Sequence, residues 1–119
     1  MMTFDPKTSV YLYRETVDFR KQINGLSLIV QDVMELNPYD NAFFVFTNRS
    51  RDKIKVLYWQ RNGFCLWLKR LEEDKFCWPK LEDDQSILTI DSQSLTWLIE
   101  GFDIFKQPPH PTRNYAFVG

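Results

Sequence analysis

The segment from Ala42 to Pro79 places the strongest constraint on the fold of this chain. Short polar turns divide it into four runs rich in β-branched and aromatic residues: Phe43 to Thr47, Ile54 to Gln60, Phe64 to Leu71 and Lys75 to Trp78. Runs of this composition favour β-strands, and short turns between them allow only antiparallel pairing of neighbours. The segment therefore predicts an antiparallel meander.

The dipeptide Asn62-Gly63 lies between two of these runs and predicts a tight hairpin turn. Both residue types tolerate the positive φ angles that a type I′ turn requires. With these two residues as the loop, Leu57 opposes Leu68 and Lys55 opposes Arg70. The side of the hairpin that carries Leu57 is the better core face.

The same register gathers cations at the end of the hairpin far from Asn62. These are Arg49, Arg51, Lys53, Lys55, Lys69 and Arg70. Like charges directly opposite each other on paired strands are destabilising. Two explanations stay open: a solvated strand end that nearby acids neutralise, or an anion site, for which nucleic-acid phosphate is the commonest large ligand.

The remaining elements predict an α+β fold. A short strand is predicted at Val10 to Tyr13, a short strand or extended linker at Ile87 to Ile90, and helices from about Asn24 to Leu36 and from Ser92. Asp18 and Asp91 are the candidate helix N-caps. We expect an antiparallel sheet of four or five strands with both helices on one face, a single domain over residues 1–106 and an extended proline-rich tail over residues 107–119.

Arg20 and Lys21 lie near the predicted start of the first helix. Cations at this position oppose the helix dipole. They are explained either by an exposed first turn beside Asp18 or by a bound anion. We therefore add both residues to the candidate anion-binding set.

Charge is distributed unevenly along the 119 residues, although the net charge is only −1. Cations dominate from Arg49 to Arg70 and carboxylates dominate from Glu72 to Asp103. Such asymmetry indicates an electrostatic partner, or two halves that neutralise each other within one fold or across a homodimer. The sequence offers neither a transmembrane run nor a signal peptide, so we expect a cytoplasmic protein without a membrane partner.

Motifs for catalysis, metal binding or cofactor binding are weak. The acidic run Glu82, Asp83 and Asp84 lacks the spacing of a metal loop, and His110 stands alone in the proline-rich tail. We find neither a nucleophile with a histidine partner nor a glycine-rich phosphate loop. The sequence therefore predicts no catalytic residue, no metal and no cofactor.

Several motifs together carry a family resemblance. They are Asp18-Phe19-Arg20-Lys21, Gly25-Leu26, Phe44-Val45-Phe46, Asn48 to Lys55, Leu57-Tyr58-Trp59, Asn62 to Leu66, Lys69 to Glu72 and Phe76 to Pro79. With these motifs the chain resembles the TnpB accessory proteins of the insertion-sequence-66 family of bacterial transposable elements. The resemblance implies a protein encoded beside a DDE transposase and needed with it for movement of the element. It supplies no catalytic role.

Two functional hypotheses follow. In the first, the eight candidate cations bind DNA phosphates at the element ends, with low sequence selectivity. In the second, exposed aromatic residues at Tyr58, Trp67 or Trp97 dock on the cognate transposase without contacting DNA. A variant of the first is the stacking of single-stranded bases on Tyr58 and Trp67.

Overall fold

The computed structural model describes residues 5–80 and 84–106. The strands are β1 (Ser9–Tyr13), β2 (Ala42–Thr47), β3 (Lys53–Gln60), β4 (Gly63–Arg70) and β5 (Ile87–Ile90). Helix α1 (Ile23–Leu28) continues into a π-helical turn over Ile29–Val33, and helix α2 spans Ser92–Ile99. The predicted α+β class is confirmed.

The five strands form one mixed sheet in the order β4-β3-β2-β1-β5. β2, β3 and β4 make the predicted antiparallel meander, and β5 lies antiparallel to β1. β1 and β2 are parallel, so the prediction of a purely antiparallel sheet is wrong at this pair. Residues 14–41, which include α1, are long enough to return the chain to the starting edge, as a parallel connection requires.

The two helices cover opposite faces of the sheet. Leu26 and Val30 of α1 and its π-helical turn pack with Phe44 on one face. Leu95 and Leu98 of α2 pack on the other face, where Val10, Val45 and Val56 are among the buried partners. The predicted placement of both helices on one face is therefore wrong, because the central strands carry large apolar side chains on both sides.

The hairpin of β3 and β4 has a different register from the predicted one. Gln60 pairs with Gly63, so Arg61 and Asn62 form the loop and Lys55 opposes Leu68. The positive φ angle falls on Arg61, at 57°. Because the register differs by two residues, every side chain keeps its predicted face.

Helix α1 also departs from its predicted form. Its N-cap is Gln22, which makes no side-chain capping bond, and Asp18 lies four residues earlier in a turn. The wider π-helical turn joins Met34 N to Ile29 O at 2.9 Å. It places Met34 in the core and leaves Val33 52 % exposed.

The remaining local predictions have different outcomes. Asp91 caps α2 as predicted, because its Oδ1 accepts a hydrogen bond from Ser94 N at 2.7 Å. The predicted strand from Lys75 to Trp78 is wrong, because this segment has no regular secondary structure. Trp78 is nevertheless buried, and its indole Nε1 donates to the carbonyls of Tyr13 and Arg14 at 3.2 and 3.1 Å. The proposed tail over residues 107–119 and the acidic residues Glu82 and Asp83 lie outside the described residues.

Candidate nucleic-acid interface

One end of the sheet gathers most of the candidate cations. β1, β2 and β4 end there, and β3 and β5 begin there. Two segments leave this end side by side, because Val17 N donates to Thr47 O at 2.9 Å. The segment after β1 carries Arg20 and Lys21, and the loop after β2 carries Arg49 and Arg51.

Asn48 organises the loop between β2 and β3. Its side-chain amide donates to Asp52 Oδ1 at 2.7 Å and its Oδ1 accepts from Lys53 N at 3.1 Å. The bond from Asn48 is the main reason that the pKa of Asp52 is lowered. Arg51 N donates to Asn48 O at 3.0 Å, and Arg51 adopts φ 59° at the tip of the loop. These bonds fix the backbone that presents Arg49 and Arg51.

Asp18 and Arg20 form an ion pair in the neighbouring segment. Arg20 Nη2 lies 2.6 Å from Asp18 Oδ2, and Arg20 N also donates to Asp18 Oδ1. Hydrogen bonds from Arg20 lower the pKa of Asp18 to about 2. Both side chains are exposed, so this contact supports the first of the two sequence-based explanations, an exposed turn beside Asp18.

Lys55 does not belong to the exposed cations, contrary to the prediction. It is only 4 % exposed, and its Nζ donates to Phe19 O at 2.9 Å and Lys21 O at 2.8 Å. The Phe19 ring lies 4.8 Å from the same ammonium. Burial lowers the pKa of Lys55. The residue therefore holds the segment after Asp18 against β3 and is not available to a phosphate.

Lys69 also lies apart from the predicted cluster of cations. Residues of β4 alternate between the two faces, so Lys69 lies on the α2 face and Arg70 on the α1 face. Lys69 Nζ donates to Ile99 O, at the C-terminal end of α2, at 2.9 Å. A cation is favourable there because it satisfies a terminal carbonyl and complements the helix dipole. Its role is to tie α2 to the sheet.

The other six candidate residues make up what we call the cationic rim: Arg20, Lys21, Arg49, Arg51, Lys53 and Arg70. Lys53 lies 3.6 Å from Asp52, and Arg70 Nε lies 2.9 Å from Glu72. Within residues 5–80 and 84–106, Lys21, Arg49 and Arg51 form no ion pair. Three of the six rim residues therefore form no ion pair with a described carboxylate.

Two residues of the rim, Arg20 and Arg49, line an open groove of about 560 Å³, together with Thr16, Asp18, Asn48 and Ser50. Arg51 faces a different groove, beside Phe76 and Trp78. Lys53 and Arg70 oppose each other across β3 and β4. The fold thus brings Arg20 and Arg49 together, and sets the other rim residues around the same end of the sheet.

The three aromatic residues predicted to bind a partner differ in exposure. Trp97 is 49 % exposed and, with Phe102, lines a groove of about 370 Å³. Tyr58 and Trp67 are partly buried against the core on the α2 face. The Tyr58 ring meets Phe43 edge-on at 5.2 Å, and burial raises the Tyr58 pKa. Part of each side chain, Tyr58 and Trp67, is therefore covered by the core.

Sequence reasoning missed two residues that shape this end of the molecule. Asn48 was read only as part of a basic loop, although asparagine at the start of a loop is a known organiser of turns. Gly25 was noted only within the motif Gly25-Leu26. A Cβ at Gly25 would lie 3.0 Å from the Cβ of Lys21, so the absence of a side chain lets the Lys21 stem pack there.

The described residues contain no group of three or more His, Cys, Asp or Glu side chains placed to hold a metal ion. Nor, in that part of the chain, does any helix have the length and apolar character needed to span a membrane.

Comparison with known proteins identifies the family. The model of the IS66 Orf2-like proteins matches residues 8–109, which include the whole sheet, both helices and the rim. The chain belongs to the IS66 Orf2-like family. The family resemblance inferred from the motifs is thereby confirmed.

Two relatives of this IS66 Orf2-like chain come from Sinorhizobium fredii. The uncharacterized protein y4hO is 34 % identical over 103 residues, which cover 87 % of this chain and 88 % of the relative. The uncharacterized protein y4jC is 33 % identical over 99 residues, covering 83 % of each. No solved structure matches the chain. The family associates the chain with transposition of an insertion sequence, as an accessory protein.

Proposed function

We propose that this IS66 Orf2-like chain is a non-catalytic accessory protein of transposition that binds DNA phosphates through the cationic rim. The observation that carries the proposal is the groove between Arg20 and Arg49, at the end of the sheet where the parallel strands β1 and β2 both finish. The carboxyl ends of parallel strands are a common place for ligand sites in α/β sheets.

The geometry of the rim suits a phosphate backbone better than a small anion. Its six cations are spread around one end of the sheet, and the grooves that Arg20, Arg49 and Arg51 line are open to solvent. Lys21, Arg49 and Arg51 are exposed and free of ion pairs with the described carboxylates. Phosphate contacts of this kind position a protein on DNA without reading its sequence. We therefore expect salt-sensitive binding with low selectivity.

A matched pair of double variants tests this proposal. Lys21→Gln/Arg49→Gln removes two exposed charges from the rim. Lys7→Gln/Arg61→Gln removes the same two residue types from the opposite end of the sheet, where both are exposed. Binding to labelled duplexes from the element ends is measured by fluorescence anisotropy at low salt.

We expect the rim variant to lose about tenfold in affinity because it makes fewer phosphate contacts, while the control stays near wild type. Equal losses in the two variants would mean that only net charge matters. Undiminished binding by the rim variant would refute the rim as the site.

A second candidate function is an adaptor that docks on the cognate transposase. It is favoured by the exposed pair Trp97 and Phe102, since large aromatic residues are frequent binding anchors. Co-purification of this chain with the transposase in high salt, lost on Trp97→Ala and kept in Lys21→Gln/Arg49→Gln, would support the adaptor. Loss in the rim variant alone would oppose it.

A further inference from the structure

Strand β4 forms one edge of the sheet. In the order β4-β3-β2-β1-β5 it has β3 on one side, and none of residues 5–80 or 84–106 pairs with its other side. It is eight residues long, twice the length of β5 at the opposite edge. A strand of this length offers a row of unpaired backbone donors and acceptors that can template another strand.

β4 carries few of the usual devices that block such pairing. It contains no proline, and its ladder with β3 runs without a bulge from Lys53 and Arg70 to Gln60 and Gly63. Its charges are confined to the last two positions, where Lys69 bonds to α2 and Arg70 pairs with Glu72. Leu68, near the middle of the edge, is 54 % exposed. This edge is therefore apolar and open over most of its length.

We propose that β4 pairs antiparallel with β4 of a second copy of this chain, about a two-fold axis at Trp67, to form a continuous ten-stranded sheet. A two-fold axis perpendicular to the sheet makes residue i of one copy oppose residue 134 − i of the other. On the α1 face, Leu66 then opposes Leu68 of the second copy, which gives four leucines in one cluster. On the α2 face the two Trp67 side chains meet as a cross-strand pair.

Charge complementarity identifies the occupant as a second copy. The hairpin loop at one end of β4 carries the exposed cation Arg61, and Glu72 and Glu73 follow the other end. Antiparallel pairing about Trp67 brings the loop that carries Arg61 of each copy to the end of the β4 pair from which Glu72 and Glu73 of the other copy leave. It also separates the two Arg70 side chains, which oppose Phe64. The edge is thus self-complementary in apolar content and charge.

Sedimentation equilibrium of the purified chain tests the dimer. We expect a reversible monomer–dimer equilibrium, and a dissociation constant at least about tenfold higher in Leu68→Lys, because the charge falls within the leucine cluster. The control is Phe102→Lys, which changes a side chain that is 60 % exposed and lies outside β4. A chain that stays monomeric to its highest soluble concentration would overturn the proposal.

Hydrogen exchange locates the interface. The backbone amides of residues 63–70 that point away from β3 become protected as protein concentration rises, and Leu68→Lys abolishes this dependence. A dimer that forms without protecting β4, or that survives Leu68→Lys unchanged, would also overturn it. Neither measurement contains DNA, so the result is independent of the proposed function.

One consequence does rest on the proposed function. Antiparallel pairing about Trp67 places the two cationic rims at opposite ends of the β4 pair, offset by about 20 Å along roughly six residues of strand. A dimer would then hold two DNA segments at once.

Discussion

The substitution Lys55→Met tests the contact between β3 and the segment that carries Arg20 and Lys21. Methionine keeps the apolar stem of a side chain that is 4 % exposed, and removes the ammonium that donates to Phe19 O and Lys21 O at 2.9 and 2.8 Å. Each hydrogen bond from a charged group contributes about 1.5–3 kcal/mol net. The variant no longer buries a charge, and water can hydrate the two freed carbonyls. Both effects offset part of the loss. We expect a decrease of about 2–3 kcal/mol in the free energy of unfolding.

Urea denaturation monitored by tryptophan fluorescence measures this loss, and Lys53→Met is the matched control. Lys53 lies on the same strand and face, and about a third of its side chain is exposed beside Asp52 at 3.6 Å. A surface pair of this kind contributes less than about 1 kcal/mol. In Lys55→Met, hydrogen exchange of residues 18–22 also accelerates. Equal costs for the two variants, or unchanged exchange at residues 18–22, would refute the role assigned to Lys55.

The difference in unfolding free energy between the wild type and Lys55→Met changes with pH in a definite direction. Burial lowers the pKa of Lys55 below its ordinary 10.5. Between the lowered pKa and 10.5 the unfolded chain binds more protons than the folded chain, so this group adds stability as the pH rises. Lys55→Met lacks this gain. The difference in unfolding free energy between wild type and variant therefore widens toward pH 10.5, and a difference that shrinks would contradict the burial of the ammonium.

Three further expectations follow from individual contacts. Asp18 titrates at a pKa of about 2, so its contribution to stability is present above 3.8 and lost as the pH falls toward 2; Arg20→Gln moves the pKa seen by carboxyl NMR back toward 3.8. Asp91→Ala removes the cap of α2 and lowers the urea-derived stability by about 1 kcal/mol. Gly25→Ala fails to give the usual gain of about 1 kcal/mol, because the new Cβ crowds Lys21; an undiminished gain would show that Lys21 moves freely.

The local elements of this fold were predictable because they depend on side-chain pattern. The strands around Val45, Val56 and Trp67 lie where apolar runs predicted them, and Asp91 caps its helix. The parallel pairing of β1 with β2 was not predictable in this way, since the composition of a strand does not indicate which other strand it pairs with across the intervening helix. The run from Phe43 to Phe46 did contain a signal for burial on both faces, because a continuous apolar run is typical of a strand covered on both sides.

The candidate site was predictable only in outline. Sequence placed the basic residues of β3, β4 and the preceding loop at one end of the hairpin, and the fold keeps Arg49, Arg51, Lys53 and Arg70 there. It did not reveal that Lys55 is buried, since the carbonyls it binds lie more than thirty residues earlier in the chain. Long-range contacts of this kind decide which cations face solvent, and charge counting does not capture them.

The salt dependence of DNA binding tests the cationic rim most directly. The logarithm of the observed association constant falls linearly with the logarithm of salt concentration, with a slope of about −0.9 for each phosphate neutralised. For Lys21→Gln/Arg49→Gln we expect a slope shallower than wild type by about 1.8, and for Lys7→Gln/Arg61→Gln an unchanged slope. Equal slopes for the wild type and both variants would contradict phosphate binding at the rim.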